Sequence, residues 1–122
     1  MTTVRRFFVR ARYPGGWKWV TYHPGSIVLE CGLSPYDTRM EYAAEVYKAD
    51  DGLWYWRPSY DTAREYREGA DALLGHDTAA AAMIAATWSR EILACITAGM
   101  SADEREQMTL RAARDRQRLR NR

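Results

Sequence analysis

Hydrophobic and polar positions alternate in short runs over roughly the first sixty residues of the chain. Beyond them, apolar residues recur every three or four positions. Alternation is the mark of a strand with one face buried, and the longer period is that of an amphipathic helix. Arg5 to Tyr13 and Trp17 to Tyr22 alternate on either side of Pro14-Gly15-Gly16, and paired glycines supply the positive φ angles of a tight hairpin. A two-residue Gly15-Gly16 loop would set Arg12 opposite Trp19, Arg10 opposite Thr21 and Tyr13 opposite Lys18. One face of that hairpin would carry Phe7, Val9, Ala11, Val20 and Tyr22 as core. The other would carry Arg6, Phe8, Arg10, Arg12, Trp17 and Trp19, a candidate binding surface.

His23-Pro24-Gly25 interrupts the pattern, since proline followed by glycine favours a turn. Ser26 to Cys31 then reads as a short buried strand, and Gly32 to Arg39 as a loop. Met40 to Ala49 and Leu53 to Arg57 flank Asp50-Asp51-Gly52, which predicts a second hairpin. A three-residue loop with Gly52 in the left-handed conformation pairs Glu45 with Arg57, Val46 with Trp56 and Lys48 with Trp54. A two-residue loop would shift that register by one. The first is preferred because it pairs opposite charges and gathers Ala44, Val46, Trp54 and Trp56 on one face.

Pro58 closes the strand region. Thr62 and Glu65 form a capping box for a helix over 62–74, with Ala63, Tyr66, Ala70, Leu73 and Leu74 as its stripe and Gly75 as its stop. A second helix over 78–98 carries Met83, Ile84, Trp88, Ile92, Cys95 and Ile96 with alanine over much of the remainder. A helix apolar nearly all round is either central to the domain or half of a dimer interface. Ser101 and Glu104 form another capping box, opening a third helix from Ala102 to near Arg118. Its stripe of Met108, Ala112 and Leu119 is thin and is interrupted by Asp115. The expected architecture is α+β: an antiparallel sheet of four to five strands over residues 4–58, followed by three helices. Residues 1–100 form one domain on this reading, with 101–122 an arginine-rich helix or tail.

Composition refines that picture. Fourteen of the fifteen aromatic residues precede position 67, leaving only Trp88 beyond. Net charge is +2, yet six arginines and one aspartate occupy residues 111–122. Arg111, Arg114, Arg116 and Arg118 are therefore a second candidate binding surface, beside Arg10, Arg12, Trp17 and Trp19. Arginine suits bidentate contacts to carboxylate or phosphate. Arg90 and Glu91 sit within the only long apolar run, which argues against a membrane span. The amino terminus lacks the apolar stretch of a signal peptide. The expectation is a cytoplasmic chain with Cys31 and Cys95 reduced.

Catalytic chemistry finds little support. The histidines, His23 and His76, have no metal-ligand spacing, so no metal or other cofactor is expected. Cys31 and His23 lie eight residues apart without a nucleophile signature. Glu41 and Glu45 share a strand face, but Arg57 opposite Glu45 neutralises one of the two. The composition fits a non-enzymatic interaction module instead, a small inhibitor or regulator that occludes a host or cognate protein. By analogy, small phage- and mobile-element-encoded inhibitors are often built in this way. Tryptophan, tyrosine and arginine are the residues richest in interface hot spots. The alternative is a nucleic-acid-binding protein, in which arginines hold phosphates and tryptophans stack on bases. Self-association through residues 78–98 is a further expectation.

Overall fold

A computed structural model describes residues 8–31, 41–59 and 74–120. Five strands, β1 (Phe8–Arg12), β2 (Trp17–His23), β3 (Ser26–Cys31), β4 (Glu41–Lys48) and β5 (Trp54–Pro58), form one antiparallel sheet in the order β1-β2-β3-β4-β5. Helices α1 (Ala79–Thr87), α2 (Arg90–Thr97) and α3 (Ala102–Arg120) follow. The α+β class and the sequence of sheet then three helices agree with the reading of the sequence. The helix expected over 62–74 and the loop expected over 32–39 lie outside the described residues, apart from Leu74.

Both hairpins share one construction. Ala49 N–H donates to Leu53 O over 2.9 Å, and Gly52 adopts φ 84°, which gives the three-residue loop and pairs Glu45 with Arg57, Val46 with Trp56 and Lys48 with Trp54. Tyr13 N–H likewise donates to Trp17 O over 2.8 Å across Pro14–Gly16, which forms a 3-10 turn with Gly15 and Gly16 at φ 78° and 83°. The first loop is thus one residue longer than the glycine pair alone implied. Trp19 pairs with Ala11 and Lys18 with Arg12, and a bulge between Val9 and Ala11 then shifts the register again, so that Val9 meets Val20 and Phe8 meets Thr21.

That single-residue slip regroups the faces, because neighbouring side chains point to opposite sides of a sheet. Trp19 joins Ala11, Leu29 and Ala44 in one cross-strand row. Arg12 falls on the other side, in a row with Lys18, Glu30 and Tyr42. The expected arginine–tryptophan face therefore does not exist as one surface.

The helices cover the tryptophan side. Trp17, Trp19, Ile27, Leu29, Val46 and Trp56 are buried with Met83, Ala86, Ile92, Ile96 and Met108 in one core. Burying each large apolar side chain contributes about 1.5–3 kcal/mol, so the two fully enclosed indoles of Trp19 and Trp56 are major contributors. Of the residues expected at the centre of the long helix, Met83, Ile92 and Ile96 are buried, whereas Ile84 and Trp88 are half-buried.

The expected continuous helix over 78–98 is instead two, bent by 67° at Trp88-Ser89. Ser89 makes the break. Its hydroxyl donates to Ala86 O over 2.7 Å at the end of α1 and accepts from Ile92 N–H over 3.3 Å at the start of α2. Serine at an N-cap competes with continued helix for these backbone groups. Glu91 in the first turn of α2 adds a favourable interaction with the helix dipole. No single described helix is long and apolar enough to cross a membrane.

Gly75 packs closely against Leu53 and Tyr55. Its φ is not positive, and an added Cβ would lie 2.7 Å from Leu53 Cδ1 and 3.0 Å from the Tyr55 hydroxyl. The glycine permits close approach where His76 pairs with Trp54 at the β5 edge.

Candidate functional site

The third helix begins where the sequence places its capping box. Glu104 N–H donates to Ser101 Oγ over 3.2 Å, and Ser101 N–H donates to Glu104 Oε1 over 3.0 Å. Hydrogen bonding from Ser101 holds the Glu104 carboxyl below its ordinary value of 4.5, with a smaller contribution from the Gly15 backbone. The start of α3 thus sits against the 3-10 turn of the first hairpin.

One stripe of α3 docks. Met108 is buried, Arg111 is half-buried and Asp115 is only 7% exposed. The Arg111 guanidinium lies 4.4 Å from the Tyr13 ring centroid and donates to Arg12 O. Asp115 Oδ2 accepts from Trp88 Nε1 over 2.9 Å and stands 4.0 Å from Arg111 Nε. In the sequence Asp115 interrupts a thin apolar stripe and Arg111 belongs to an arginine-rich helix or tail. Both are anchors. A polar residue within a helix stripe packs well where its partner is an indole N–H that would otherwise be buried unpaired.

Beneath Arg111 the seam continues into the core. Tyr13 Oη lies 3.3 Å from Thr87 Oγ1, and Trp19 Nε1 donates to the same oxygen over 2.9 Å. Thr87 donates its own proton to Met83 O over 2.7 Å. A hydroxyl has one proton and two acceptor positions, so Tyr13 is the donor to Thr87. Burial pushes the Tyr13 phenol above its ordinary value of 10.0, while the Thr87 hydrogen bond and the Arg111 charge partly oppose the shift. Trp19 is therefore a structural residue with both its ring and its nitrogen engaged.

The opposite side of α3 is free. Leu110 is 61% exposed, and Ala113, Arg114, Gln117 and Arg118 are exposed along the same flank. Arg114, Arg116 and Arg118 have no ion-pair partner among the described residues. Leu110 was absent from the expected binding residues. Its signal in the sequence was its position off the Met108, Ala112 and Leu119 stripe, a leucine placed where a docked helix should be polar.

Of the expected site residues, the structure brings Arg12 and Arg111 into contact, so the two separate candidate surfaces meet at this seam. Arg10 and Arg12 are exposed, and Arg10 Nε donates to Thr21 Oγ1 over 2.9 Å. Trp17 and Trp19 are 7% and 0% exposed, which removes both rings from any surface that stacks on a ligand. In α1, the stripe of Ala82, Met83, Ala86 and Thr87 is buried within the domain and is not presented to a second copy.

The side of the sheet turned away from α1, α2 and α3 holds two polar clusters. Tyr22 Oη donates to the buried Glu30 Oε1 over 2.5 Å. Ser26 and Arg57 both donate to Glu45, over 2.6 and 2.7 Å, as the expected pairing of Glu45 with Arg57 required. No group of three or more potential metal ligands clusters among the described residues. No family model, curated protein or solved structure matches the chain.

Proposed function

We propose that this chain is a protein-interaction module, an inhibitor or regulator that presents the free flank of α3 to an acidic surface of a partner protein and acts by covering it. The observation that carries the reading is the division of α3 into two flanks. Met108, Arg111 and Asp115 fix the helix to the domain, and Leu110 with Arg114 and Arg118 stands clear of it. A rigid helix loses little conformational entropy on binding, and an exposed leucine followed one turn on by the unpaired Arg114 supplies an apolar anchor with a cationic neighbour. The arginines also select an anionic partner and accelerate encounter with it.

Binding to a nucleic acid would use the same arginines for phosphate contacts. That alternative loses the base-stacking platform on which it depended, because Trp17 and Trp19 are enclosed. The two readings separate in a fluorescence-anisotropy titration. The probes are an amphipathic peptide of leucine and glutamate, a polyglutamate of equal charge, and a random single-stranded oligonucleotide. Protein recognition requires the amphipathic peptide to bind most tightly and Leu110→Ser to weaken it by about ten-fold, the effect of roughly 1.4 kcal/mol. An oligonucleotide that binds more tightly than either peptide, with a linear dependence of log affinity on log salt and no effect of Leu110→Ser, would replace this reading with the nucleic-acid one.

A further inference from the structure

On the docked side of α3, near its end, lies a groove of about 240 Å³ lined by Leu74, His76, Ile84, Ala85, Trp88 and Ser89, with Arg116 and Leu119 contributed by α3. It is separate from the free flank proposed to meet a partner protein. The groove is open to solvent and has room for a small organic molecule. Leu74, Ile84, Ala85, Leu119 and the Trp88 ring make most of the wall apolar.

The polar groups in the wall fall into two kinds. Trp88 Nε1 is committed to Asp115, and Ser89 Oγ is committed to Ala86 O and Ile92 N–H. Arg116 and His76 are not. Arg116 is exposed and has no carboxylate partner among the described residues. His76 Nε2 is buried with no hydrogen-bond partner, although the His76 backbone is fixed by two hydrogen bonds with Trp54 of 2.7 and 2.8 Å. A ring nitrogen closed off in this way is not open to the groove, so Arg116 is the uncommitted polar group that a ligand there can reach. No acidic side chain contributes to the described lining. Charge complementarity and an apolar wall together select one class of ligand.

We infer that this groove binds a small amphipathic carboxylate, its hydrocarbon body against Leu74, Ile84, Leu119 and the Trp88 ring and its carboxylate on Arg116. Arginine meets a carboxylate in a charge-assisted, bidentate geometry.

Octanoate and phenylacetate are suitable probes, with octanol as the uncharged control of equal chain length. In a proton–nitrogen NMR titration of the full chain, octanoate should move the Trp88 indole and His76 imidazole resonances together. It should bind about ten-fold more tightly than octanol, and Arg116→Gln should remove that preference while leaving octanol binding unchanged. Arg116 is exposed, and an unchanged melting curve for the variant will show that it folds. Equal affinity for octanoate and octanol, persistence of the preference in Arg116→Gln, resonance shifts confined to other tryptophans, or no binding of either carboxylate at millimolar concentration would each overturn the assignment.

Discussion

Trp88 Nε1 donates to Asp115 Oδ2 over 2.9 Å, which ties the bend between α1 and α2 to the middle of α3. Twenty-seven residues separate the two in sequence, and Arg111 stands beside Asp115 on the same docked stripe. Replacing Asp115 with alanine leaves the Trp88 indole N–H without its acceptor, at a cost of about 1–3 kcal/mol. Arg114→Ala, on the free flank, should change stability by no more than about 0.5 kcal/mol. Urea denaturation of the two variants checks the difference, and equal midpoints would show that α3 is not docked through this contact.

The same contacts make the basic tail part of the fold. Deleting residues 111–122 takes away Arg111 and Asp115 together, so the melting temperature should fall by several degrees. Changing Arg114 and Arg118 to serine should leave it nearly unchanged. Differential scanning calorimetry on both proteins separates structural arginine from surface arginine.

Thr87 offers a test inside the core. Thr87→Val preserves shape but withdraws the oxygen that accepts from Trp19 Nε1 and Tyr13 Oη. Each buried donor left unpaired costs about 1–3 kcal/mol, and Thr87→Ser, which keeps the oxygen, should recover most of the loss. A valine variant as stable as the parent would show that this hydrogen-bonded seam adds nothing to the packing around it.

Acid stability follows from two carboxylates held by hydrogen bonds. Glu104 is held below its ordinary value by hydrogen bonds from Ser101, and Asp51 is held below its own by the Tyr55 hydroxyl. Tyr55 Oη lies 2.6 Å from Asp51 Oδ2. A carboxyl whose folded value is depressed contributes stability that is complete above its unfolded value. That contribution is lost as pH falls through the folded one. Stability should therefore decline below the ordinary values of 4.5 and 3.8, and Glu104→Gln with Asp51→Asn should flatten that limb. Chemical denaturation at successive acid pH values gives the slope. An unchanged acid limb in the double variant would assign it to other carboxylates.

The second hairpin was readable because two independent signals agreed. Gly52 at the third loop position and the pairing of Glu45 with Arg57 selected the same register. The first hairpin obeys the same rule, with Pro14 opening the loop and Gly16 closing it, but no charge pair across its strands disclosed the extra residue. The Arg10 bulge was hidden for the same reason, since a bulge changes register without changing composition. Trp17 and Trp19 were thereby placed with the arginines instead of with the core. The break at Ser89 was overridden in the sequence by apolar residues that continue at helical spacing on both sides of it. On α3, the capping box was local and therefore legible. The roles of Arg111 and Asp115 depend on Tyr13 and Trp88, which only the tertiary structure brings near, and no helical pattern could have supplied them.

Every strand of the sheet pairs with the strand beside it in sequence. Loop closure is therefore inexpensive for the β1–β2, β2–β3 and β4–β5 turns, and the sheet can grow one hairpin at a time. Contacts of much longer span come from the helices, as in the bond from Trp19 to Thr87 across 68 residues. Such an order of events would leave the inner faces of Trp19 and Trp56 uncovered until α1 and α2 arrive. During synthesis those helices emerge after the sheet that needs them, so the nascent chain passes through an interval in which its most adhesive surface is its future core.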